Sequence, residues 1–457
     1  MNRDMAKDRS GPATAAATTL PFSVKIGWAL GQLPIASHIG VASFYLLYFL
    51  TDVHHIPPAW AGVALLLPRL FNMFFDPVMG SLSDRTRTRF GRRRPYLLGG
   101  SLVWGLAFTL LFGLPVLGDP RTGIVLLFGA FMLVTIGQTL YHVPYSAMLA
   151  EMTRNSRDRI SLASWKESVS RIGILIAATT TPILVAWFAS EALGYRVAGL
   201  VFGAVIIFGG LVAFKTTAKA PSREDSVHVA VSYRAQFQAM LDNRPFCLLV
   251  IAYVCIMAAD ELFSSSLVFY AVNVLGQSAA FVGKVYPISS IAAICTIPAW
   301  NGAAVRLGKK TALLIAIAGM AATWLCLLAI PPSHAWIMYP LMAISGAFNA
   351  GLLLLPNAMV PDTVEYDAHH SGHRREGAIY GAWIFCQQSA MAAGGFMLSI
   401  SLGFIGYNGA VAVQPASVHH GLAAIISIAP AVLLAIAALL VRAYPLNEER
   451  VQALGAA

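Results

Sequence analysis

Charge is scarce in this chain. Asp, Glu, Lys and Arg make up only 11% of its 457 residues, where a soluble protein carries about 25%. So few charges cannot cover an aqueous surface, which excludes an ordinary cytosolic enzyme, a secreted protein and a disordered chain. Cysteine is also rare. The five present (Cys247, Cys255, Cys295, Cys326 and Cys386) all fall in apolar stretches and read as small hydrophobes rather than a disulfide framework or a metal set. Residues 1–21 are polar and rich in Ala and Thr, with no apolar core of a signal peptide, so no cleaved leader is expected. There is no phosphate loop, no metal-ligand spacing and no nucleophile paired with a base. No enzyme activity, metal or organic cofactor is expected.

What the chain has instead is hydrophobicity, 57% of all residues. Crossing the hydrocarbon takes about 20 mostly apolar residues. Such stretches fall near 23–51, 59–82, 96–117, 122–151, 162–189 and 194–214, and after a polar break near 245–272, 279–304, 310–331, 335–359, 377–405 and 419–443. This is the pattern of an all-α membrane protein with twelve transmembrane helices. Prolines inside them (Pro34, Pro144, Pro182, Pro287, Pro356) predict bends. The net charge of +10 does not indicate nucleic acid, because most of the basic residues sit in alternate short connections. Arg85 to Arg94 follow span 2, Arg154 to Arg159 follow span 4, and Lys215 to Arg244 follow span 6. The positive-inside rule then puts both termini in the cytoplasm of a multi-pass protein of the cell (inner or plasma) membrane.

The chain also repeats itself. RFGRRRPYLL from Arg89 has a counterpart in RLGKKTALLI from Arg306, with Gly91 and Gly308 in matching places. Two six-helix pseudo-repeats about a central loop are the arrangement of the major facilitator superfamily. The expected organisation is a polar tail at 1–22, a six-helix bundle at 23–214, a linker at 215–244, a second bundle at 245–443 and a tail at 444–457.

The segment DPVMGSLSDRTRTRFGRRRPYLLGG, Asp76 to Gly100, resembles the glycoside–pentoside–hexuronide:cation symporters, the family of the melibiose permease. YLLYFLTDV (Tyr45–Val53), SRDRISLASWK (Ser156–Lys166), VPDTVEYDAHHSGHRREG (Val360–Gly377) and GFIGY (Gly403–Tyr407) fit the same family. The resemblance implies a secondary transporter that moves a sugar or glycoside with a cation. It also implies a cation site on span 2, where the family has two carboxylates one turn apart. Here the second is Asp76 and the first position holds Asn72. A site that has lost an acid suits a proton better than sodium, so proton coupling is the expectation. Family lysolipid carriers leave an amphiphile as the alternative substrate, and the missing family acids in spans 1 and 4 point that way. A non-transporting sensor of the same fold is the remaining reading.

Ionisable groups within spans are expensive and therefore functional candidates. Arg69, Asn72 and Asp76 are spaced to share one stripe of span 2. Span 4 carries Gln138 and His142 on a polar face, with His142 where the melibiose permease has a sugar-binding acid. Span 1 adds His38. Lys166 matches a basic residue that contacts substrate in that permease. Trp383 could stack on a sugar ring, and Gln387 or Gln388 stands where the family commonly has a lysine. Asp260 and Glu261 are adjacent in span 7. Two neighbouring carboxylates cannot both ionise cheaply, so the pair is a further cation-coupling candidate. The stripe Tyr253, Met257, Asp260 and Ser264 aims Asp260 at the cavity, with Glu261 about 100° away on the helix. Gating is expected of Arg69, Gly80, Asp84, Arg85, Arg93, Arg159, Arg375 and Glu376, with Gly80 allowing close helix approach and Asp84 latching onto an arginine. The expected partners are a small-molecule substrate and the lipid bilayer, the expected state a monomer.

Overall fold

The computed structural model describes residues 20–117, 119–153, 156–219, 241, 243–371, 376–411 and 413–446. They form twelve rods. The first, α1, runs over 22–53 in pieces: Phe22–Leu30, Leu33–Val41, and two wide turns at Ala42–Leu46 and Phe49–Val53. The rest are α2 (Pro58–Arg85), α3 (Arg94–Gly113), α4 (Pro120–Met152), α5 (Ser156–Ala186), α6 (Glu191–Thr216), α7 (Arg244–Phe269), α8 (Ala280–Leu307), α9 (Lys309–Leu325), α10 (Met338–Ser371), α11 (Glu376–Phe404) and α12 (Ala416–Ala443). Among the described residues, ten helices, α2 to α10 and α12, are long and apolar enough to cross a membrane; the segmented α1 and α11 complete the twelve. The break in α1 has a local cause. Pro34 lacks an N–H and its ring crowds the preceding turn, so the helix stops at Gly31 and restarts at Leu33. The ring is received by Gly209 of α6, where a methyl group would lie 2.6 Å from Pro34 Cδ.

Packing repeats with the sequence. In the first half α3 packs on α4 and α6, α2 on α4, and α1 on α5 and α6; in the second, α9 packs on α10 and α12, α8 on α10, and α7 on α11 and α12. The halves meet through α2 with α11, α8 with α5, and α1 with α7, each contact being the other's counterpart under the same repeat. The joints repeat too. Gly91, ahead of α3, has φ +94° and Gly308, ahead of α9, has φ +84°, a backbone shape that side chains with a Cβ resist. The repeated glycine is thus a turn requirement, written twice.

Small residues let the helices approach where there is no hydrophobic force to press them together. At Gly346 of α10 an added Cβ would fall 2.0 Å from the backbone oxygen of Ser289 in α8. Gly346→Ala should therefore push α8 and α10 apart, at a cost of about 1–3 kcal/mol. A lower melting temperature in detergent would show it, and an unchanged one would mean the backbones yield freely. Gly80 does not act this way. Its nearest neighbour would be Val143 Cγ1 at 3.8 Å, so the close approach expected of it is not made.

One end of the bundle is basic and holds both ends of the described stretch, Leu20 and Leu446. There Lys25 Nζ lies 2.7 Å from Asp158, which also accepts from the Leu20 N–H at 3.0 Å. The Lys25 hydrogen bond, then that of Leu20, holds the Asp158 carboxyl below the usual carboxylate range. A depressed acid stabilises above its unfolded value, so this tie between α1 and α5 weakens only as pH falls through the lowered one. The linker expected at 215–244 and the two tails lie mostly outside the described residues.

Candidate functional site

The polar groups of the spans include one cluster between α2 and α4 of the first half and one ion pair from α2 to α7 across the halves. On α2, Arg69, Asn72 and Asp76 do share a face. Thr139 of α4 stands opposite: its Oγ1 is 2.8 Å from Asn72 Oδ1 and 2.8 Å from Asp76 Oδ1. A hydroxyl has one proton to donate. Satisfying both contacts takes a second donor, either a protonated Asp76 or an Asn72 amide turned to present its nitrogen. Arg69 does not neutralise Asp76. Its Nη2 lies 3.6 Å from Glu261 Oε1 of α7, across the halves.

Asp260 and Glu261 both face polar partners. Asp260 Oδ1 accepts from Asn349 Nδ2 of α10 at 2.8 Å, and Arg171 of α5 is in electrostatic reach. Glu261 turns the other way, as the helical spacing requires, and meets Arg69 and the Ser43 hydroxyl. With Leu65, Phe131, Ser265 and Ala392 the Arg69–Glu261 pair lines a small cleft between the halves.

Among the substrate candidates, His142 is partly exposed on α4 beside Gln138, and Lys166 of α5 is within electrostatic reach of it. Gln387 is half-buried on α11 and Gln388 is exposed. Two other candidates are packed. His38 sits in an aromatic box, its ring centre 5.6 Å from Trp104, 5.8 Å from Phe108 and 6.5 Å from Phe131. Trp383 is stacked on Tyr253 at 4.2 Å and donates to Asn357 at 3.1 Å, so one ring face is already covered.

At the basic end, Arg93 Nη2 lies 2.8 Å from Asp84 and 3.2 Å from Glu151, and Arg92 pairs with Glu151. This ties α2, α3 and α4 together. The second half has a parallel tie, Lys309 to Asp362 at 2.7 Å. Arg85 is exposed. The side chains of Arg159, Arg375 and Glu376 lie outside the described residues. At the opposite end, polar contacts join the halves. Tyr407 donates to Asp52, Ser399 to the Pro58 carbonyl, and Ser265 to the Ser43 carbonyl at 2.7 Å. The molecule is closed at the end away from its termini.

Sequence reasoning missed Thr139, Glu151 and the meeting of Asp52 with Tyr407. Thr139 is three residues before His142, on the polar side of α4, which is a usable signal. Asp52 and Tyr407 sit in two of the motif segments, but nothing local says that they touch.

The architecture is that of a major facilitator transporter. A bacterial homologue of the human lysosomal transporter Spinster, solved in an inward-facing and unoccupied conformation, superimposes with a TM-score of 0.68 at 13% identity, covering 92% of this chain and 96% of that one. The family described as MFS/sugar transport protein matches residues 27–448, and the chain belongs to it, in the glycoside–pentoside–hexuronide:cation symporter type. Among relatives, the uncharacterized symporter YnaJ of Bacillus subtilis (strain 168) is 30% identical, covering 93% of this chain and 92% of the relative. The sodium-dependent lysophosphatidylcholine symporter 1-A of Danio rerio is 26% identical, covering 93% of this chain and 86% of its own. The protein is a multi-pass membrane symporter-family member that acts on a small molecule.

Proposed function

We propose that the chain is a proton-coupled symporter of a sugar or glycoside, working by alternating access in the cell membrane with its basic end in the cytoplasm. The observation that carries this reading is the Asp76–Thr139–Asn72 cluster. It offers one carboxylate, one hydroxyl and one amide on a bundle-facing stripe, with Arg69 engaged elsewhere. A sodium ion prefers more oxygens and more negative charge than this. A proton needs only the carboxylate and a hydrogen-bond partner. His142, Gln138 and Lys166 supply donors suited to hydroxyl-rich ligands, and Gln387 of α11 adds a half-buried amide. With the basic end read as cytoplasmic, we take the closed side as the outer one and release as cytoplasmic.

A second reading has its own support. α5 and α8 touch at Gly283, where a Cβ would lie 2.8 Å from the Thr179 carbonyl. Nearer the basic end both helices expose isoleucines, Ile172 and Ile176 on one and Ile291 and Ile294 on the other. An apolar edge beside the halves' seam suits a lysolipid or other amphiphile, and one relative is named for such a substrate.

Uptake into proteoliposomes under imposed proton or sodium gradients, with panels of glycosides and lysolipids, separates these readings. Accumulation of a glycoside driven by protons supports the first. Accumulation driven only by sodium would sink it. For the sugar reading, His142→Ala should weaken substrate affinity about three- to tenfold, the worth of one hydrogen bond. The yield of folded protein should not change; lower yield at unchanged affinity would mean that the histidine only packs.

A further inference from the structure

Glu261 differs from the other carboxylates of the spans in what reaches it across the seam between the halves. It is 6% exposed and its charge is met by Arg69 of α2 at 3.6 Å. α1 offers the Ser43 hydroxyl to the same carboxylate. α11 packs Gly394 against it, where an added Cβ would lie 2.8 Å from Glu261 Cβ, and among the described residues brings no charge to it. Two other titratable groups bear on the pair. Asp260, next to it on α7, is turned to Asn349 of α10 and lies within reach of Arg171 from α5. His38 of α1 is in electrostatic reach of Arg69. Asp76 is held by Thr139 instead.

A buried ion pair is a poor source of stability, because apolar groups of similar volume often do as well or better. Its position gives it another use. The pair spans two bodies that must part when the closed end opens. Together, the Arg69 guanidinium favours the charged form of Glu261. Apart, a lone carboxylate in an apolar cleft holds its charge only at high cost and takes a proton from water. We propose that Glu261 is a proton-carrying coupling residue in its own right, discharged by Arg69 each time the end away from the termini closes.

The protons balance. Glu261 gains one from water on the side to which the cleft opens, and gives it up toward the other side when Arg69 returns. The guanidinium stays charged throughout. The cycle moves protons toward the basic end, as inward symport requires. This inference rests on the transport reading but not on Asp76 being the cation site.

The test uses the full chain in proteoliposomes, with Ala392→Cys in the cleft as the only cysteine and a membrane-impermeant maleimide applied from the side away from the termini. Labelling of this parent should speed up on acidification, as protonation of Glu261 frees Arg69. Glu261→Gln should label fast at every pH and lose uphill uptake, its accumulation ratio falling to near one, while exchange continues. Arg69→Gln should move the labelling transition to higher pH, and it serves if Glu261→Gln fails to fold. Labelling in Glu261→Gln with the parent's pH dependence would overturn the proposal, as would an unshifted transition in Arg69→Gln. A parent that accumulates no solute would count against the transport reading, and the labelling would still decide the role of Glu261. Equal uphill uptake by the parent and Glu261→Gln would sink this proposal alone.

Discussion

Asp76→Asn is expected to abolish uphill uptake while leaving exchange intact. An imposed gradient of two pH units can sustain about 100-fold accumulation for each proton moved per substrate, since each unit is worth about 1.36 kcal/mol or a factor of ten. The substitution removes the group that takes up the proton but keeps an amide that Thr139 can still bond at the same place. The cavity and the rocking of the halves are left alone, so labelled substrate should still equilibrate and counterflow should persist. The accumulation ratio should fall to about one. Full uphill uptake by the variant would remove Asp76 from the coupling site and leave Glu261 as the carboxylate to examine.

Arg93→Ala is expected to cost the most stability of any charge substitution at the basic end. Arg93 is 3% exposed and stands between two acids from different helices. Breaking a buried ion pair by removing one partner costs about 3–5 kcal/mol, because the charge left behind is uncompensated. Here the loss falls near the lower end, about 3 kcal/mol. Glu151 keeps Arg92, and Asp84, whose side chain is 40% exposed, can rehydrate. A melting temperature in detergent lowered by several degrees would show it. An unchanged one would mean that Arg92 alone holds α4 to α3. Arg85, exposed at the end of α2, should by contrast be replaceable without effect on melting.

The residues show why some of this could be read in advance and some could not. The stripe of Arg69, Asn72 and Asp76 was legible because helical spacing puts residues three, four and seven apart on one face whatever surrounds them. The opposed directions of Asp260 and Glu261 follow from the same geometry. What the stripe meets was not legible. Arg69 reaches Glu261, 192 positions along the chain, and no local rule links them. His38 and His142 look alike as polar residues in apolar spans. The first lies among Trp104, Phe108 and Phe131, the second beside Lys166. Trp383 was as consistent with an open ring face as with the stacked pair that it forms with Tyr253.

The sequence by itself determined that the chain crosses a membrane, that it does so in two related halves, and which end is basic. Those properties depend on the summed hydropathy of about 20 residues at a time, on glycines needed at two equivalent turns, and on where the arginines fall; none requires knowing which helices touch. The tertiary structure alone decided which charge answers which, which glycine lies against a backbone, and which end of the molecule is shut. Those depend on contacts between helices far apart in the chain. In a bilayer such contacts are chosen by close packing and by buried polar partners, because lipid is as apolar as the helix faces and no hydrophobic force marks one of them in advance.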